Sequence, residues 1–579
     1  MKRALQIGLI GLIGLIGPIY SDLTALAGTS PTLGEEALDL TAASGNPLPR
    51  ENPLLHRKRS PSPVSGEELR GTVSGEELLE VVRFEKVETW TGSELAPYVG
   101  QTIRFAQPVY VCNNYYSNVD VSLHRVMSPT NQALPGSSAY QSIVALNPRS
   151  TVTLTGLSGY HRMGEVLTGL TVYVSSTSSV RYVSHEGLWG TREDLATAPT
   201  VDMLGEHDLL VCAFNLEYYL VETLGQDRGP KNASESARQH AKIMDALTHI
   251  GADIYGFVEV EQGQAALQKL SESLSAATGR RYTWINDGMS ASGTFTKSGY
   301  VYCSDVVKPF GEMKSNNANV ANRKKMQAFD VLETGERFIF SLNHFKAKSG
   351  SASGLDADQG DGQGSYSYTR TMEAQSVLSS YQTNKNWYKD EDLLIMGDLN
   401  AYAMEDPIRA LTDGGMTDLH RYFHADSSYS YTYRGTAGYL DHALCNATLL
   451  PQVTGMAAYH INSDEHDRYT YDQSSDETMF RSSDHDPVLV GLRLGAEMDE
   501  RIPNASAAHM KITVEQDGQV VFHYAEGGYY TVHTVSGYLL GAGDISTAEY
   551  RAPLVLPRGI YVFNVYVEDT VCRRKLVIL

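Results

Sequence analysis

Leu393-Leu-Ile-Met-Gly-Asp-Leu-Asn400 is an apolar run of strand length that ends in a glycine, a carboxylate and an amide. A short apolar run bounded by a turn residue reads as a buried strand, and its polar end then stands at the edge of a sheet. The same pattern repeats outward in both directions. Asn215 and Glu217 follow the run Leu209 to Phe214, Glu259 follows Ile254 to Val258, and His344 follows Phe338 to Leu342. Asp441 lies early in the run Tyr439 to Leu444, while Asp484 and His485 stand just before Val488 to Leu494. Between the strands, Ser234 to Ile250 carries Ile243, Leu247 and Ile250 at helical spacing, with Ser and Glu near its start, which predicts an amphipathic helix. Strands alternating with helices over residues 205–495 predict a layered α/β domain in which one sheet edge gathers polar residues that are far apart in sequence.

The flanks read differently. Lys2-Arg3 precede the apolar stretch Ala4 to Gly17, Pro18 breaks it, and Ala25-Leu26-Ala27 offers small residues for cleavage. Residues 1–27 therefore read as a signal peptide, too short for a membrane span, and the mature chain is expected to have no stable span. Residues 28–80, rich in Pro, Ser, Gly and Glu, contain the near-duplicate Val64-Ser-Gly-Glu-Glu-Leu69 and Val73-Ser-Gly-Glu-Glu-Leu78 and read as an acidic linker or pro-region. Short β-branched and aromatic runs predict a small all-β domain over 81–195, structural or substrate-presenting, and a small β-sandwich over 503–579. Neither holds a cluster of catalytic side-chain types.

Charge narrows the chemistry. Lys+Arg 47 against Asp+Glu 68 gives 47 − 68 = −21, so diffuse attraction to nucleic acid or anionic lipid cannot be the main activity in this 579-residue chain. A phosphate-bearing substrate must be met by a bound cation or a local basic patch. Cys112, Cys212, Cys303, Cys445 and Cys572 lie far apart and make no disulfide framework; Cys212, in an apolar run, is expected to pack as a small hydrophobe. The strand-end donors Asn215, Glu259, Asp398 and Asp484 are hard oxygens, which suit Mg²⁺, Mn²⁺ or Ca²⁺ rather than zinc. An imidazole held by a carboxylate suits acid–base work, and with a divalent cation it makes a phosphoester-hydrolysing combination.

Taken in order, Phe214-Asn-Leu-Glu217, Val258-Glu-Val-Glu261, Asn343-His-Phe-Lys-Ala-Lys348, Gly397-Asp-Leu-Asn400, Tyr439-Leu-Asp-His442 and Ser482-Ser-Asp-His-Asp-Pro487 resemble the motifs of the endonuclease/exonuclease/phosphatase superfamily. Within it the chain looks most like secreted bacterial extracellular nucleases, with Asp356-Ala-Asp-Gln-Gly-Asp-Gly-Gln-Gly364 and His460-Ile-Asn-Ser-Asp-Glu465 ahead of Arg481 as supporting detail. The resemblance implies a four-layered α/β sandwich at 205–495, preceded by an OB-like β domain and followed by the small β-sandwich. It also implies a divalent-metal phosphodiesterase using Mg²⁺ or Mn²⁺, with Ca²⁺ as an additional ion. Carried over residue by residue, Glu259 would be the principal metal ligand with Asn215 and Asp484, while Glu217 stands where many relatives have Asp. His485, paired with Asp441, would act as general base or hold the scissile phosphate; Asp398 and Asn400 would orient the attacking water and a phosphate oxygen; His344 would stabilise the pentacoordinate charge. Arg323 and Arg370, with Lys346, would contact phosphate.

Departures from the family pattern are visible too. Ser351 and Ser365 stand where relatives often bracket the Asp/Gly-rich loop with cysteines, Gly293-Thr-Phe-Thr-Lys297 lacks an acidic residue many relatives carry, and Asp356, Asp358 and Asp361 have an alternating-oxygen character that suits Ca²⁺. Gly528 to Val535, Leu556-Pro-Arg-Gly-Ile-Tyr561 and Arg573-Arg-Lys-Leu-Val-Ile-Leu579 resemble the C-terminal sorting domain of the type IX secretion system. The expectation is a secreted or cell-surface nuclease acting on DNA, with RNA as a second polymer and the secretion machinery as partner. Two alternatives remain: a phosphomonoesterase or sphingomyelinase-like phosphodiesterase on the same fold, and a catalytically silent surface adhesin. An apolar membrane-contacting hairpin is missing from the sequence between 205 and 495, which weighs against a lipid substrate, and Glu259, Asp398 and His485 are all present, which weighs against silence.

Overall fold

The apolar strand runs pair into two six-stranded mixed sheets. One has the order Tyr282–Trp284, Thr296–Cys303, Ile254–Glu261, Leu209–Tyr219, Val488–Leu492, Val453–Ala458; the other has Val307–Ser315, Lys324–Val331, Arg337–His344, Leu393–Asp398, Asp441–Cys445, Thr417–Asp418. Within each, one central pair is parallel, Leu209–Tyr219 with Ile254–Glu261 and Arg337–His344 with Leu393–Asp398. This computed structural model describes residues 39–40, 79–115, 118–192, 204–289, 296–315, 323–424, 427–495, 511–514, 519–523, 528–534, 539–547, 549–556, 559–567 and 570–578. The signal peptide expected over 1–27, nearly all of the linker expected over 28–80 and the start of Gly293-Thr-Phe-Thr-Lys297 lie outside the described residues.

Side chains alternate across each strand, and both faces of both sheets are apolar. The inner faces meet in one core, where Val211, Ala213, Val258 and Tyr300 of the first sheet pack with Phe338, Phe340, Leu342 and Met396 of the second. Helices Ala233–Ile250 and Ala265–Thr278 cover the outer face of the first sheet through Ile243, Leu247, Leu267 and Leu270. Ser367–Tyr388 and Asp406–Asp413 cover that of the second through Val377, Tyr381 and Ile408. The expected helix over Ser234 to Ile250 begins at Ala233: Asn232 caps it by accepting the Glu235 amide, and Gly251 ends it in the left-handed conformation. Burial of about 25 cal/mol per Å² of apolar surface on both faces of each sheet is what makes the central strands read as continuous apolar runs.

A nine-stranded sheet precedes this region, with its own core around Trp90, Phe105, Val121 and Leu154. After it, a three-stranded and a five-stranded sheet share a core around Phe522, Tyr530 and Phe563. The pair Asp39–Leu40, inside the stretch read as linker, adds to that five-stranded sheet by pairing antiparallel with Thr570–Ile578. Cys112, Cys212, Cys303 and Cys445 are free and buried, and burial pushes the Cys212 thiol well above its usual range, as fits a small hydrophobe. No helix among the described residues is long and apolar enough to cross a membrane.

One glycine is required by the sheet itself. Gly397 has φ +123°, and a Cβ there would lie 2.0 Å from the Asn343 carbonyl oxygen on the adjacent parallel strand. Gly397→Ala is therefore expected to destabilise the protein by about 3 kcal/mol or more, read as a fall in the denaturation midpoint, because the backbone carrying Asp398 must move.

Candidate active site

Polar residues gather where the strands of both sheets end. The Leu209 strand does not stop at Phe214 as the sequence suggests but continues to Tyr219 through a bulge between Asn215 and Tyr219. Glu217 and Tyr218 turn there with φ 48° and 57°. Glu259 (φ 59°), Asn400 (φ 49°) and Arg481 (φ 60°) adopt the same left-handed conformation. For side-chain-bearing residues that conformation costs free energy, and its concentration at one edge marks a functional constraint.

Asp398 and Asp441 are register partners on adjacent antiparallel strands, and Asp398 is also the partner of His344 across the parallel pair. Three of the sequence-predicted residues are thus fixed by backbone pairing alone. His485 arrives from the turn before Val488–Leu492: its Nδ1 lies 2.7 Å from Asp441 Oδ2, which also accepts from Ser430 Oγ at 2.8 Å. With Nδ1–H directed at the carboxylate, Nε2 is left toward the cluster, 4.0 Å from both Asp398 Oδ2 and Asp484 Oδ1. His344 Nε2 is 3.7 Å from both Glu259 Oε1 and Asp398 Oδ2. Asn215 donates from Nδ2 to Asp398 Oδ2 at 3.2 Å, and Asn400 donates to the same carboxylate from its backbone and side chain at 2.9 and 3.2 Å.

Electrostatics sort these groups. Burial, then Asp484 and Asp398, pushes Glu259 up to about 8; burial and then Asp484 pushes Glu217 up to about 8; burial raises Asp398 to about 7. Burial, then the charges of Arg323 and His485, lowers His344 to about 3, so it is a neutral hydrogen-bonding ring at ordinary pH. Burial opposes charging of His485, yet Asp441, Asp484 and Asp398 together hold it well above the usual histidine value.

Carboxylates that raise one another in this way make a site short of positive charge, and its donors are hard oxygens with no thiolate among them, which fits a divalent cation of the Mg²⁺ class. Glu259 and Asp484 are the residues that would hold it, together with Asn215, whose side-chain oxygen accepts the Glu217 amide at 3.0 Å. Asp398, Asp441 and His485 form a buried group with ligand atoms within 4.8 Å of one another. Within that group a 2.7 Å hydrogen bond joins His485 Nδ1 to Asp441 Oδ2.

The basic candidates separate. Arg323 lies beside His344, donating to its carbonyl at 3.2 Å and pairing with Glu373 at 3.3 Å. Lys346 Nζ sits 4.3 Å over the Tyr366 ring. Arg370 is fully buried, with its guanidinium on the carbonyls of Lys346, Gln363 and Ser365. It clamps a loop, and the structure does not present it to a phosphate, contrary to the expectation from sequence. The acidic loop is also built differently from a cation site. Asp356 accepts from the Thr369 amide and hydroxyl at 2.8 and 2.7 Å near the start of the Ser367–Tyr388 helix, Asp358 accepts from the Gly360 amide, and Asp361 accepts from Gln363. These bonds give each of the three carboxylates a turn or helix-start role.

Ser430 and Tyr431 join the site without having been singled out, and Arg481, named only as supporting detail of the motifs, joins it with them. Ser430 fixes Asp441, Tyr431 packs its ring 4.7 Å from that of His485, and Arg481 donates to the Asn462 carbonyl and to Asp467 at 3.2 and 2.6 Å. Neither Ser430 nor Tyr431 ends an apolar run, so no periodicity marks them; Arg481 had a signal, its place four residues before His485.

Among solved structures, the chain is similar to an endonuclease/exonuclease/phosphatase family protein of Bacteroides thetaiotaomicron, at 16% identity and TM-score 0.34 over 49% of this chain and 97% of that one. It is also similar to a mannosyl-6-phosphatase of Bacteroides thetaiotaomicron, at 17% and 0.34 over 49% and 100%. A third similarity is to the human Nocturnin catalytic domain with bound sulfate, at 14% and 0.35 over 50% and 95%. No curated protein matches the chain. Residues 212–485, which span every strand-end residue described above, match the Endonuclease/Exonuclease/phosphatase family.

Proposed function

We propose that the protein is a secreted, divalent-metal-dependent nuclease that hydrolyses phosphodiester bonds of DNA. The observation that supports it is the convergence of Glu259, His344, Asp398, Asp441 and His485 in one cluster at the ends of both sheets. A divalent cation on Glu259, Asp484 and Asn215 would supply positive charge for the phosphoryl oxygens, which a chain of net charge −21 otherwise lacks. In its neutral form His485 takes the proton of the attacking water at Nε2, with Asp441 holding the ring and its tautomer; the carboxylates that favour the charged ring place this form toward the alkaline end of the pH range. Asp398, braced by Asn215 and Asn400, fixes the water's position. Neutral His344 donates a hydrogen bond to the charge that develops on phosphorus-bound oxygen, and Arg323 beside it offers a fixed cation. Export is part of the reading because of the N-terminal signal pattern, and DNA because of the ordered motifs shared with secreted nucleases.

The full chain, incubated with closed circular duplex DNA, is expected to degrade it in Mg²⁺ or Mn²⁺ and to stop when EDTA is added. Parallel reactions contain RNA, 4-nitrophenyl phosphate and sphingomyelin. Intact DNA beside rapid release from the monoester or the lipid would overturn the substrate class while leaving hydrolysis in place.

A further inference from the structure

The catalytic imidazole is tied to the nine-stranded sheet region by an unbroken series of side-chain and backbone contacts, and we propose that Arg125 and Arg162 of that region are positioning residues for His485. Arg125 reaches the α/β region past Gly164, where any Cβ would collide with the guanidinium. Its Nη1 and Nη2 hold the two oxygens of Asp464 at 2.7 and 3.2 Å, and its guanidinium carbon lies 4.1 Å over the Tyr429 ring. Tyr429 donates to the same Asp464 at 2.7 Å and stacks flat on His460, with ring centres 3.8 Å apart and planes 2° apart. His460 Nδ1 is 2.9 Å from Asp486 Oδ2. Arg162 pairs with Glu465 and donates to the His460 carbonyl at 2.8 Å, holding the other side of the same loop.

From Asp486 two routes reach the site. Asp486 Oδ1 accepts the Asn462 amide at 2.8 Å; Asn462 in turn accepts the Ser482 amide at 2.8 Å and donates to the His485 carbonyl at 2.7 Å. The Asp486 amide donates to the Ser430 carbonyl at 2.9 Å, and Ser430 Oγ donates to Asp441 Oδ2, the oxygen that holds His485. Arg162, Asp464, Glu465 and Asp486 are all buried, so the bonds these four make lie in a medium where geometry is enforced. A merely adhesive seam would end at Asp464 and Glu465. This one continues through aromatic and backbone contacts to both His485 and its carboxylate partner, and thereby sets where Nε2 stands. The inference rests on the hydrolytic reading of that site and extends it by making the N-terminal region part of the catalytic unit.

A double-mutant cycle tests it, with hydrolysis of bis(4-nitrophenyl) phosphate and of DNA as readouts and thermal unfolding recorded for every variant. Arg125→Ala is expected to lower kcat by ~10–100-fold, the usual cost of losing an outer-shell partner, with KM little changed. Arg125→Lys should recover part of the loss. In the His485→Ala background the same Arg125→Ala change should do nothing further, since there is no ring left to position. Tyr429→Phe keeps the ring stack and removes only the bond to Asp464; if Arg125→Ala does not fold, the cycle is decided on Tyr429→Phe, with a smaller drop that also vanishes without His485. Equal losses in both backgrounds, or full kcat in folded Arg125→Ala, would overturn the inference while leaving hydrolysis intact. A wild-type protein that cleaves no phosphate ester removes the underlying reading instead.

Discussion

Replacing His485 by alanine is expected to lower turnover by about 10²–10⁴-fold, the range for a positioned general acid or base. The magnitude follows from how completely the ring is committed. Its Nδ1 is taken by Asp441 at 2.7 Å, Tyr431 packs beside it, and Nε2 stands 4.0 Å from Asp398 and from Asp484. The neighbouring Asp398 cannot replace it, because it already accepts from Asn215 and Asn400. Removing the ring also leaves Asp441 with Ser430 as its remaining side-chain donor, so some stability is lost as well. His485→Gln, which keeps a hydrogen-bond donor for Asp441, separates the two effects: turnover should stay low while the thermal midpoint recovers toward wild type. Near-normal turnover in folded His485→Ala would remove this residue from the chemistry.

Glu259→Gln carries the second large effect. A cation stabilising the transferring phosphoryl group is worth several kcal/mol, and each 1.36 kcal/mol is tenfold in rate, so losing its principal ligand should cost ~10³-fold or more at limiting metal. The same substitution has an opposite signature in the metal-free protein. The Glu259 carboxyl is raised from its ordinary 4.5 to about 8 by burial and by Asp484 and Asp398. A carboxylate whose folded pKa lies above its unfolded one is protonated more readily when folded. Stability is therefore full below pH 4.5 and falls as pH rises toward about 8. Glu259→Gln deletes that share of the loss, so without metal the variant should unfold at a higher temperature than wild type near pH 8. Adding Mn²⁺ should reverse the order, because only the wild type gains the binding term.

How much of this could be read from residues alone depends on the distance over which each signal acts. Asp398, His344 and Asp441 were legible because each belongs to an apolar strand run, and strand pairing then brings them together without further information. Asn215 and Glu217 were legible as types but not as a bulge, since Glu217 and Tyr218 are not residues that mark a left-handed turn in sequence. Arg370 was misread because an arginine near a glycine-rich loop looks the same whether it faces a phosphate or three carbonyls. Asp356, Asp358 and Asp361 have the spacing of cation ligands and also that of turn formers, and the backbone amides two to thirteen residues away claim them. Arg125 and Asp464 are 339 residues apart; nothing in either neighbourhood reports the other, so the contribution of the N-terminal region to the site was invisible.

The central claim, a divalent cation held by Glu259 at the strand ends where His485 and Asp441 stand, is tested most directly by titrating Mn²⁺ into the metal-free full chain and following the free-ion electron paramagnetic resonance signal. Wild type and His485→Ala should both take up the ion, while Glu259→Gln should bind at least ~10–100-fold more weakly. Uptake by Glu259→Gln equal to wild type, or no uptake by wild type at all, would contradict it.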